Sequence, residues 1–112
     1  MTQAFIDLSV LGELRESAGH EFTTELAQTF AEDAAQMLAT LRASREAGDA
    51  VAFRRTAHSL KANANTFGAL TLASMARTLE QSDVASVDAG ALVQLDEQCR
   101  GALTALQELC RE

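Results

Sequence analysis

The fold turns on residues 54–68, Arg54-Arg55-Thr56-Ala57-His58-Ser59-Leu60-Lys61-Ala62-Asn63-Ala64-Asn65-Thr66-Phe67-Gly68. Placed on a helix at about 100° per residue, the apolar residues here gather on one side. Phe53, Ala57, Leu60, Ala64 and Phe67 recur at steps of three and four, which predicts a core-facing stripe. His58 lies well away from the centre of that stripe. Arg54, Lys61, Ala62 and Asn65 fall within about 60° of it, and Arg55 sits at the same margin on the opposite flank. The histidine is therefore expected on a wet, basic face beside a small alanine. That setting suits an accessible imidazole that is reversibly modified. An ordinary surface histidine among solubilising charges is the competing reading, since the periodicity excludes only a buried one.

The segments on either side are also helical in pattern. Asp7 can cap a short helix from Leu8 to about Ser17, with Leu8, Leu11 and Leu14 as its apolar positions and residues 1–6 as a lead-in. Gly19 marks a break. The longest helix is expected from His20 to Ala47, with a buried seam of Phe22, Leu26, Phe30, Ala34, Met37 and Leu41. Gly48 can end it and Asp49 can cap the next, about Ala50 to Thr66. Gly68 supplies another break. A fourth helix follows over about Ala69 to Gln81, built on Leu72, Ala76 and Leu79. Residues 82–90, rich in Ser, Asp and Gly, read as a connection. The last helix runs from about Gly90 to Leu109, with Leu92, Leu95, Cys99, Leu103, Leu106 and Cys110 as its seam. Four substantial amphipathic helices with mostly short joins predict an all-α, antiparallel four-helix bundle, and the short N-terminal helix would cap one end.

Composition agrees with this and narrows the function. The chain of 112 residues is long enough for one core and is read as a single domain, 1–112. It has no proline, tryptophan or tyrosine, and alanine and leucine dominate, as in a helical protein. Nine basic residues against sixteen acidic give a net charge of −7. Residues 49–68 depart from this balance, holding Arg54, Arg55 and Lys61 against Asp49 alone. An acidic body disfavours nucleic acid and anionic membranes. Three cations around His58 are too few for a nucleic-acid footprint but enough to meet one phosphoryl group. There is no apolar run of membrane-spanning length and no visible signal peptide. Cys99 and Cys110 fall on the apolar stripe, are read as core thiols, and fit a cytoplasmic chain. No zinc spacing and no Gly-rich nucleotide loop is present. The initial Met and brief lead-in favour a whole protein.

The central stretch resembles the signature of histidine-containing phosphotransfer (HPt) domains, the intermediate carriers of multistep phosphorelays. The resemblance rests on His58-Ser59-Leu60-Lys61, a small residue at 62, small or polar residues from 63 to 66, and Phe67-Gly68-Ala69. The family pattern is His-x-Leu-Lys-Gly with a second glycine near the end of the same helix. Ala62 replaces the first glycine, which implies that the position needs a small residue and no positive φ. Gly68 is the second. The helix order matches the family over most of the chain.

The resemblance implies that His58 accepts and donates a phosphoryl group through the ring nitrogen farther from the backbone. Lys61 and Arg54 would contact the phosphate, and Arg55 the partner. Ala62 would leave room for the partner's loops, Asn65 could hydrogen-bond at that surface, and Gly68 would act as a backbone device. Val51 is a candidate for an apolar docking patch. The expected partners are the receiver domains of a hybrid histidine kinase and a response regulator, the receiver bringing the Mg²⁺. The chain itself would hold no cofactor or metal, would have no autonomous kinase activity, and would work as a monomer. A different class remains open on the residues alone: a helical bundle that only mediates association, including one that binds receivers as a regulator. An inactive relative would more simply lack His58. A dimetal bundle fails because the seams lack inward Glu and His.

Overall fold

The computed structural model describes residues 5–111. Five α-helices carry the chain: α1 Leu8–Ala18, α2 His20–Ala47, α3 Ala50–Thr66, α4 Leu70–Glu80 and α5 Ala89–Cys110. The joins explain the ends. The Asp7 side chain accepts from the Ser9 N–H, Asp49 from Ala52 and Asp88 from Ala91, so three helices begin on an aspartate that satisfies a free backbone donor. Gly48 ends α2 in the left-handed conformation, φ 68°. Consecutive helices α2, α3 and α4 are joined by two or three residues and pack on each other, so they run antiparallel. α5 closes the ring against α2 and α4. The long axis of 42 Å is the length of α2 alone, 28 residues at about 1.5 Å each. The architecture is the expected antiparallel bundle with a short added helix.

The stripe of α3 is buried as its spacing predicted: Phe53, Ala57, Leu60, Ala64 and Phe67 are all at most 2% exposed. Phe67 stacks on Phe30 of α2 with ring centroids 5.3 Å apart. In the last helix Leu92, Leu95, Cys99, Leu106 and Cys110 are buried with Ala102, Ala105 and Leu109, while Leu103 is only partly covered. Both cysteines are free and buried.

The seam of α2 differs from the expectation. Phe22 is exposed, and Leu26 and Met37 are only partly buried. Thr23, Ala27 and Leu38 are inside instead, with Phe30, Ala34, Leu41 and Ser44. The rotation has a physical cause. Helix α2 packs against α3, α5 and α1 together, and those contacts, not one run of large side chains, set which face turns inward. The Thr23 hydroxyl donates to the Gly19 carbonyl at 2.7 Å, which satisfies it once buried. Leu8 of α1 is likewise exposed, leaving Leu11 as the buried member of the expected trio.

The expected lead-in 1–6 falls partly outside the described residues. Its end is no simple lead-in, because Ile6 is 1% exposed and belongs to the core. The connection after α4 is anchored too. Val84 and Val87 are buried around a short 3-10 turn, and Arg45 of α2 donates to the Val87 carbonyl at 2.7 Å. α1 is held at both ends. The Asp7 N–H donates to the Gly68 carbonyl at 2.8 Å, and the Arg15 guanidinium donates to the Leu109 carbonyl in the last turn of α5.

Candidate functional site

His58 stands on α3 with its side chain 61% exposed, on the face away from the buried stripe. Its Nδ1 lies 2.7 Å from Oε2 of Glu80, the last residue of α4. The other oxygen of the same carboxylate, Oε1, accepts from Lys61 Nζ at 2.7 Å. Glu80 therefore bridges two residues of α3 that are one turn apart. The short turn at 67–69 sets the register that makes this possible.

The carboxyl of Glu80 is held below the usual carboxylate range, first by the Lys61 ammonium and second by the His58 ring; partial burial opposes both. An ionised carboxylate only accepts hydrogen bonds, so Nδ1 of His58 must be the donor. In the neutral ring that leaves the lone pair on Nε2, the nitrogen farther from the backbone. Nε2 makes no hydrogen bond among the described residues. The site thus presents a fixed tautomer with its nucleophilic nitrogen towards solvent.

The other residues singled out from the sequence divide into two groups. Arg54, Ala62 and Asn65 are exposed on α3 around His58, and Val51 is 61% exposed on the same helix. Arg55 is also exposed but lines a shallow groove on the other flank, with Asp33, Met37 and Thr40 of α2 and Thr56 and Ser59 of α3. Lys61 differs from its expected state, since it is half-buried and ion-paired to Glu80. The face around His58 is accordingly less basic than the sequence implied. Gly68 lies in the turn two residues past the end of α3, whose last residue Thr66 is about 12 Å along the axis from His58, so it stands away from the imidazole. It has φ 81°, and a Cβ there would stand 2.7 Å from the Asp7 carbonyl oxygen and 3.0 Å from Val10 Cβ. It is a backbone device in two senses, a left-handed turn and a seat for α1.

Glu80 is the site residue that sequence reasoning missed. One signal was available. A carboxylate at the last position of a helix faces the negative end of the helix dipole, so its presence there calls for a partner. Among the described residues, no group of three or more His, Cys, Asp or Glu side chains is gathered as a metal site requires, and no helix is long and apolar enough to cross a membrane.

An exposed, tautomer-fixed histidine on the second of four antiparallel helices is the arrangement of a histidine phosphotransfer domain. The Hpt domain family model matches residues 25–112, and the chain belongs to that family. Its structure is similar to that of histidine-containing phosphotransfer protein B (HptB) from Pseudomonas aeruginosa PAO1, with 31% sequence identity and a TM-score of 0.76. That similarity covers 96% of this chain and 91% of the other. No curated protein sequence matches the chain significantly.

Proposed function

We propose that this protein is a phosphoryl carrier of a multistep two-component phosphorelay, with Nε2 of His58 as acceptor and donor. The observation that carries the reading is the 2.7 Å contact between Nδ1 and Glu80 on a ring that is otherwise open to solvent. It leaves the remaining nitrogen nucleophilic and reachable. In-line displacement needs such a nitrogen, a route for the partner, and positive charge near the equatorial oxygens of the transferring group. Arg54, exposed four residues before His58, would supply that charge directly, and Lys61 would do so by turning from Glu80 to the phosphoryl group. Ala62 keeps the approach low. Arg55 and Val51 extend the surface that a partner would cover.

The chain divides the chemistry with its partners. A receiver domain brings the aspartate and the Mg²⁺, and this chain brings the histidine. It has no Gly-rich nucleotide loop, so it acts as substrate and carrier and not as a kinase. The receiver of a hybrid histidine kinase stands upstream and a response regulator downstream. A single accessible histidine face serves a monomer in the cytoplasm.

The test is transfer of labelled phosphoryl from a panel of phosphorylated receiver domains to the wild type and to His58→Gln. The wild type should take up an acid-labile, base-stable label, and the variant should take up none. Because the His58 side chain is mostly exposed, the variant should keep its circular dichroism and its stability to within about 0.5 kcal/mol. Labelling of the variant equal to wild type would defeat the assignment.

A further inference from the structure

Resting on the carrier reading above, we propose that Glu80 holds the Nδ1 proton of His58 in both the free and the phosphorylated states, so that phosphoryl transfer through this site moves no proton. In acceptance, the Nε2 lone pair attacks the phosphorus of an aspartyl phosphate. The P–O bond to the aspartate breaks and its electron pair leaves with the carboxylate. The ring, neutral before, becomes a phosphoimidazolium whose Nδ1–H stays on Glu80. Donation runs the same path backwards. The N–P bond breaks, its electron pair returns to Nε2, and the ring departs as neutral imidazole. A neutral ring and a doubly negative acyl phosphate become a singly negative phosphoimidazolium and a carboxylate, so charge balances with no proton gained or lost.

The geometry explains why a carboxylate is needed for this. On α3 the charged groups around the ring are Lys61, Arg54 and, on the flank, Arg55; on α4 they are Glu80 and Arg77, one turn earlier. The cations all favour loss of the ring proton once Nε2 carries phosphorus. Asp33 of α2 lies on the far flank beside Arg55, and the Asp83 side chain is occupied by its own turn at Ala85. Glu80 is the one carboxylate in hydrogen-bond contact with the ring among the described residues. Lys61 fixes the other oxygen and so aims Oε2 at Nδ1. When Lys61 turns to the phosphoryl group, every charge gains a partner: imidazolium on Glu80, phosphoryl on Lys61. A phosphorylated ring without its Nδ1 proton would have to leave as an imidazolide, which is a poor leaving group. Glu80 is thus a positioning residue that keeps the carrier discharged as easily as it is charged.

The experiment uses the full chain, phosphorylated chemically with phosphoramidate so that no partner is needed. Imidazole nitrogen NMR then follows the Nδ1 proton of phosphorylated His58 against pH in the wild type, Glu80→Gln and Lys61→Gln. The wild type should hold the proton to a pH at least one unit above that at which E80Q loses it, a loss of about tenfold in proton affinity. K61Q, which keeps Glu80 beside the ring but removes the group that aims it, should still hold the proton to a higher pH than E80Q does. Superimposable titrations of wild type and E80Q, on protein shown to be phosphorylated at Nε2, would overturn this inference and leave the carrier reading intact. So would phosphorus found on Nδ1. A folded protein that takes no phosphoryl group at His58 from phosphoramidate or from any receiver would overturn both.

Discussion

Replacing Gly68 by alanine should destabilise the protein strongly while sparing the chemistry of the folded fraction. Two costs act together. At φ 81° an alanine occupies the left-handed region, which costs roughly 1–2 kcal/mol. Its Cβ would also stand 2.7 Å from the backbone oxygen of Asp7 and 3.0 Å from Val10 Cβ. Backbone cannot swing aside as a side chain does, so α1 must shift, at a cost of about 1–3 kcal/mol typical of overpacking. The sum, about 2–5 kcal/mol, is a large part of the roughly 5–15 kcal/mol that stabilises a small domain. Urea unfolding followed by circular dichroism reads this directly. With a slope of about 2 kcal/mol per molar, the midpoint should fall by about 1–2.5 M. Gly68→Asn separates the two costs, since asparagine tolerates the left-handed region but still carries a Cβ. It should remain within about 1 kcal/mol of the alanine variant. A loss below about 0.5 kcal/mol for Gly68→Ala, or near-complete rescue by asparagine, would refute the claim that α1 is seated on this residue.

Three further outcomes follow from the same geometry. Lys61→Ala should slow phosphoryl transfer from a receiver more than it lowers the unfolding midpoint, as transfer kinetics and urea titration on one preparation would reveal; an unchanged rate removes Lys61 from the site. Because Glu80 titrates below its ordinary value of 4.5 when folded, its ionic contribution is present above that pH and fades as the pH falls below it. The stability difference between wild type and E80Q should therefore shrink as the pH falls below 4.5, and a constant difference would contradict the pairing. Burial, aided by the Asp96 charge, pushes the Cys99 thiol from 9.0 up to about 11. The unfolded thiol ionises first, so the wild type should lose stability relative to Cys99→Ala between those two pH values, and Cys99 should resist thiol reagents until the protein unfolds.

How legible the molecule was in its sequence varied with how local each determinant is. The α3 stripe could be read because five apolar residues at helical spacing admit one buried face. The caps at Asp7, Asp49 and Gly48 are short-range chemistry and could be read for the same reason. The α2 seam is not legible in the same way, because large side chains at steps of four point to Phe22 and Leu26. The bundle buries Thr23 and Ala27 there, since α2 meets three other helices, and which face turns inward depends on tertiary packing that no single segment encodes. His58 with its neighbours was legible from one helix. Glu80 was not, because it lies 22 residues further on and meets His58 only through the register of two helices. The departure of Glu80 from the dipole rule was the one local trace of that meeting.

The α3–α4 hairpin, joined by three residues and packed along its length, has a consequence for how the protein breathes. His58, Lys61 and Glu80 all belong to it, and the turn that α1 leans on is at its opposite end. Opening of α1 therefore belongs to a different cooperative unit from opening of the hairpin. In hydrogen exchange, α1 amides should open in a low-energy event while amides flanking His58 remain closed. The acceptor can then stay organised while α1 opens, and an opening that parts α3 from α4 would take it apart.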